Sequence, residues 1–117
     1  MKKIVLFLII GLLIIGCSTA YKSITAQMPD LSQINDGVYR GFYDVSGTPV
    51  KVTLDVILQN NRITNIEIIN HFRSPIGKKA ENIIWQIIEK QNLDIDAVSG
   101  ATASSKAILK AVENAFQ

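Results

Sequence analysis

The chain of 117 residues carries twelve Lys and Arg against ten Asp and Glu, a formal charge of +2. Lys2 and Lys3 account for the whole excess, so the remainder is neutral and lacks the basic footprint from which nucleic-acid affinity arises. One cysteine and one histidine, Cys17 and His71, exclude a disulfide, an iron–sulfur cluster and a zinc site built by this chain alone, and stability has to come from a hydrophobic core.

Taken in order, the chain opens with Lys2-Lys3, an unbroken apolar run from Ile4 to Leu8 and on to Ile15, and then Gly16-Cys17. A basic start, a short apolar stretch and a small residue before the cut make a secretion signal, and the run is too short to span a bilayer comfortably. Ile14-Ile15-Gly16-Cys17 resembles the lipobox of bacterial lipoproteins. Residues 1–16 are therefore expected to be a cleaved signal peptide. Cys17 would become a lipidated first residue, whose two or three acyl chains anchor stably where one does not. Residues 17–35, with Ser, Thr, Gln, Asn and Pro29 in little periodicity, read as a tether reaching about 60 Å when extended and averaging about 25 Å as a coil. That leaves 36–117 as one small domain, of a size at which the core is only just sufficient.

Gly37 to Asp44, with Val38 and Phe42 and bounded by glycines, predicts a short strand ending near Ser46-Gly47-Thr48-Pro49. From Val50 to Leu58 apolar residues fall at every second position, which is a strand with one face buried. Asn60-Asn61 tolerate positive φ, and the β-rich run Ile63 to Ile69 makes a hairpin into a third strand. Lys78 to Gln91 then turns helical, with Ala80, Ile83, Ile84, Ile87 and Ile88 on one stripe, Pro75 before it and Asn92 as the exit. A second helix from about Ser104 carries Ala107, Ile108, Ala111, Val112, Ala115 and Phe116 on one face. The expected fold is α+β, a small antiparallel sheet of about three or more strands packed against two helices.

Among the residues able to carry chemistry, Trp85, Tyr39, Phe42 and Tyr43 offer a stacking surface for a planar ligand, but strand and helix spacing favours the core for them. His71 near a strand exit reads as a solvated or capped side chain ahead of a proton donor. Lys78-Lys79 read as a solvated helix face ahead of a phosphate contact.

The segment from Asp96 to Thr102, Asp-Ala-Val-Ser-Gly-Ala-Thr, is different. Gly100 and Ala101 leave room for close approach, and a threonine hydroxyl sits just before a helix, where free N–H groups and the helix dipole favour an anion. Asp96 and Ser99 are expected to shape the loop through side-chain hydrogen bonds to nearby backbone. This stretch resembles the flavinylation motif of the FMN-binding domain family, shared by the C subunit of sodium-translocating NADH:quinone reductase and the G subunit of the Rnf complex. Asp36-Gly37-Val38-Tyr39 with Gly41, the hairpin and the His71 region extend the resemblance over most of 36–117. Ala103 departs from the bulkier residue many relatives carry there, as Arg73-Ser74 does from a Glu-Thr pair.

The resemblance implies covalent FMN on Thr102 through a phosphoester bond, attached by a flavin transferase that uses FAD and magnesium. Asp96, Ser99, Gly100, Ala101 and His71 would surround it, with no metal and no catalytic residue of its own. It further implies an electron carrier more than a stand-alone enzyme, lipid-anchored on the extracytoplasmic face of the cell membrane between a membrane electron donor and an extracytoplasmic acceptor. A lipid-anchored ligand-binding or sensory module of the same fold, or a noncovalent FMN-binding reductase, are the alternatives. The chain has no Gly-rich dinucleotide fingerprint for taking hydride from NADH directly.

Overall fold

In a computed structural model, residues 24–72 and 77–117 are described. The signal segment 1–16, Cys17 and Pro75 lie outside them. Strands β1 (Gly37–Asp44), β2 (Lys51–Gln59) and β3 (Arg62–Phe72) form one antiparallel sheet in the order β1-β2-β3. Helix α1 (Ile83–Lys90) and helix α2 (Thr102–Ala115) follow, so the α+β expectation holds. Among the described residues no helix is long and apolar enough to cross a membrane.

The alternation read in the central strand is the buried face of the sheet: Val52, Leu54, Val56 and Leu58 are fully buried. Asn60 and Asn61 take φ of 53° and 61°, the left-handed pair that matches the twist of the flanking strands in a two-residue hairpin. Helix α2 lies across this face and approaches β1 backbone to backbone, since a Cβ built on Gly41 would stand 1.8 Å from the Ala111 carbonyl oxygen. Gly41 thereby decides which face of β1 points inward. Tyr39 and Tyr43 share its side and pack on the core, and the Tyr39 ring meets Phe116 at 5.4 Å. Val38 and Phe42 are left on the open face, 64% and 52% exposed. The core reading of Phe42 is thus corrected by the pleat.

The first predicted helix is split. Gly77–Asn82 winds as a 3₁₀ turn before α1 begins at Ile83. Ala80, Ile83 and Ile87 are buried, but Trp85 is 74% exposed, against the core reading, because two residues after Ile83 a helix has turned to its opposite side. The exit falls at Gln91, whose φ of 53° is left-handed, one residue earlier than expected. Its side-chain amide then donates to the Ile63 carbonyl and accepts from the Ile63 N–H, both at 2.8 Å, so it closes the edge of β3 as a short extra strand would.

Residues 24–34 fall within the stretch read as a tether, yet they lie on the domain. Ile24, Ala26, Met28, Leu31 and Ile34 pack against the core. The Gln27 N–H donates to the Glu113 carboxylate, Lys110 Nζ donates to the Thr25 carbonyl at 3.4 Å, and Asp30 caps a short turn over Leu31–Gln33. This strap runs along α2 beside Leu109, which accounts for the burial of that residue outside the predicted stripe.

Candidate functional site

The chain between α1 and α2 turns at Leu93, whose carbonyl accepts from the Ile95 N–H at 3.0 Å, with Leu93 and Ile95 buried as anchors and Asp94 and Asp96 exposed. It then makes a tight turn in which the Ala101 N–H donates to the Val98 carbonyl at 2.9 Å. Gly100, third residue of that turn, has φ of 80°, a position that a type II turn reserves for glycine. Thr102 follows as the first residue of α2, two residues earlier than the helix start expected at about Ser104.

The turn is held from inside by Ser105. Fully buried, its hydroxyl donates to the Ala101 carbonyl at 2.7 Å and accepts from the Val98 N–H at 2.9 Å. Sequence reasoning assigned the shaping of this loop to Asp96 and Ser99, whose side chains instead stand exposed. The substitution of roles has a plain cause, because a hydroxyl beneath a turn reaches two backbone groups at once and one above it faces water.

His71 is not a solvated side chain, being 2% exposed. Its Nδ1 lies 3.3 Å from Glu81 Oε2 and its Nε2 3.0 Å from Ser104 Oγ. A carboxylate only accepts, so Nδ1 carries the proton, and in the neutral ring Nε2 accepts from the Ser104 hydroxyl. The order Ser104, His71, Glu81 is that of a nucleophile, base and orienter. Ser104 is only 3% exposed, however. The cluster is a fastener that ties the start of α2 to the end of β3 and to the 3₁₀ turn before α1. The Glu81 partner carries no signal in the sequence beyond its position ten residues after the histidine.

What remains at the surface is the rim of Asp96, Ser99, Gly100 and Thr102, all exposed, above Ala101, which is 6% exposed. Of the three hydroxyls at the start of α2, only that of Thr102 is open to another molecule, as Ser104 and Ser105 are buried and bonded. No side chain caps α2, so its first-turn N–H groups and the positive end of its dipole face the same space. Such a start suits a phosphate group held close to the backbone. His71 meets the start of α2 through Ser104. Lys78 and Lys79 are exposed on the 3₁₀ turn, and among the described residues no group of three His, Cys, Asp or Glu gathers to hold a metal ion.

A family model described as FMN-binding domain matches residues 46–117. An uncharacterized protein of Treponema pallidum (strain Nichols) is 33% identical over 88 residues, which take in 74% of this chain and 24% of that protein. The chain thus spans about a quarter of the length of that relative.

Proposed function

This chain belongs to the FMN-binding domain family, and from that premise we propose that it carries FMN covalently, as a phosphoester of Thr102, and works as an electron carrier anchored by lipid at Cys17 on the outer side of the cell membrane. The observation that carries the reading is the contrast among three neighbouring hydroxyls, of which Thr102 alone is exposed, at an uncapped helix start. The residues fit the group. An exposed acceptor can enter the active site of a transferase, Gly100 and Ala101 place no bulk beside it, and the first-turn N–H groups of α2 oppose the charge of a phosphodiester. Attachment exchanges the Thr102 hydroxyl proton for the flavin phosphoryl group of FAD and releases AMP.

When bound, FMN supplies one- and two-electron chemistry. The protein holds and presents it. Ser105 keeps the turn before Thr102 in one shape, and the Ser104–His71–Glu81 fastener keeps the helix start in place. A covalent bond makes retention independent of affinity, which matters on a surface from which a dissociated cofactor is lost to the medium.

Co-expression of the full chain with a flavin transferase tests this. The mature protein should gain the mass of one FMN less one water, localised to the peptide containing Thr102, and keep its yellow colour after denaturation. Thr102→Ala should lose both while its stability stays within the range of a neutral surface change, about 0.5 kcal/mol. An unmodified wild-type chain alongside an active transferase overturns the proposal.

A further inference from the structure

Helix α2 begins where its own sequence gives little reason to begin. Its N-cap is Ala101, at φ −130° and ψ 43°, and no side chain caps the first turn. Alanine is among the poorest residues at that position and serine among the best, a preference equal to a factor of about 5 in equilibrium. Ser104 follows three places later, so a start with Ser104 as the cap would satisfy first-turn N–H groups that the observed start leaves open. In that alternative Thr102 and Ala103 unwind and the Ser104 hydroxyl turns to the helix end. In the observed start Ser104 lies inside the first turn, 3% exposed.

What opposes the alternative comes from another element. His71, near the end of β3 and 2% exposed, receives the Ser104 hydroxyl at Nε2, 3.0 Å away, while its Nδ1 is held by Glu81 of the 3₁₀ turn. Unwinding to Ser104 would pull this hydroxyl out and cost a buried ring nitrogen its donor. That penalty equals a factor of about 5 to 150, enough to match or outweigh the cap. Ser105 supports the same start from within, through Ala101 and Val98 of its own segment; His71 is the link from the sheet.

We propose that His71 is the positioning residue for the acceptor: by taking the Ser104 hydroxyl it selects the helix start at Thr102 over a start at Ser104. It thereby decides whether the flavin phosphodiester sits on the first turn of α2 or on an unwound lead. The choice of start belongs to the unmodified chain, and its bearing on the flavin rests on the reading of Thr102 given above.

The test follows the full chain in detergent micelles by carbon-13 secondary shifts at Thr102 and Ala103, first without flavin. They should be helical in the natural chain and in His71→Gln, whose amide oxygen stands where Nε2 stood. In His71→Leu, and in His71→Asn, whose shorter amide serves Glu81 and falls short of Ser104, the helical fraction at these two residues should drop to a minority. Shifts through β2 and the rest of α2 should keep their folded values. Adding Ser104→Ala to His71→Leu removes the competing cap together with the unpaired hydroxyl and should return both residues to the helix, which general damage to the core would not allow. After a flavin transferase has acted, the phosphorus-31 resonance of the phosphodiester should stand apart from its denatured-state position in the natural chain, move toward it in His71→Leu and recover in the double variant. Helical shifts retained in both His71→Leu and His71→Asn, loss of the whole fold in both, or a double variant as unwound as the single one overturns the inference. Shifts that respond as expected in a chain that an active transferase leaves unmodified refute the flavin reading and leave the selection of the start standing. A modified Thr102 on an unresponsive helix start does the reverse.

Discussion

Ser105 is the residue on which the presentation of Thr102 depends, although its own hydroxyl never reaches the surface. Ser105→Ala removes the acceptor of the Val98 N–H and one donor to the Ala101 carbonyl. Stranding a buried N–H costs about 1–3 kcal/mol. The expected outcome is a stability loss in that range by chemical denaturation, together with slower flavin attachment at an intact Thr102; unchanged attachment would show that the turn does not need its internal support. The place of Thr102 at a helix start was legible in the sequence, because a small-residue turn followed by an apolar stripe brackets it. The division of labour among Thr102, Ser104 and Ser105 was not. Which of three hydroxyls points outward depends on where the helix begins, and a shift of two residues rotates the whole set by more than half a turn.

Between elements, the closest contact is that of Gly41 with α2. A methyl group there would overlap the Ala111 carbonyl, and the helix cannot withdraw without uncovering Leu54 and Val56. Gly41→Ala should therefore cost about 3 kcal/mol or more, read as a lowered denaturation midpoint with the denaturant slope unchanged. The strap is held in a different currency. Burial alone would raise the Glu113 carboxyl, but the hydrogen bonds from Lys110 and from the Gln27 N–H, with the Lys110 charge, outweigh it and hold the group below the ordinary glutamate value. A carboxyl lowered on folding stabilises fully above its unfolded pKa, and the contribution is lost as pH falls through the folded one. Hydrogen-exchange protection of the Gln27 amide should accordingly be high at neutral pH and decline in acid below the usual glutamate range, and Glu113→Gln should flatten that dependence. The strands, the hairpin and α2 were readable from periodicity and from Asn60-Asn61. The strap was not, since Ile24, Ala26 and Met28 alternate over too few positions among polar neighbours to stand out.

At the scale of the molecule, residues 24–34 pack on the core that the strands and helices after residue 36 enclose. A chain starting at 36 loses the apolar cover of Leu109 and both fastenings of α2. It should melt about 10 °C below one starting at 24, the equivalent of roughly 2 kcal/mol for a domain of this size, as calorimetry would measure. Composition gave no sign of this packing because Ser, Gln and Pro mark exposure of side chains and say little about a backbone laid along a groove. The direct meeting of a sheet and a helix at Gly41 has one more consequence. With no side chain between them to act as a bearing, the helix has no room to slide along the strand, so a pigment joined to its first residue, as proposed, would swing only about the bonds of that residue. Donor-to-acceptor spacing would then be chosen by how the whole body docks, and remain the same from one turnover to the next.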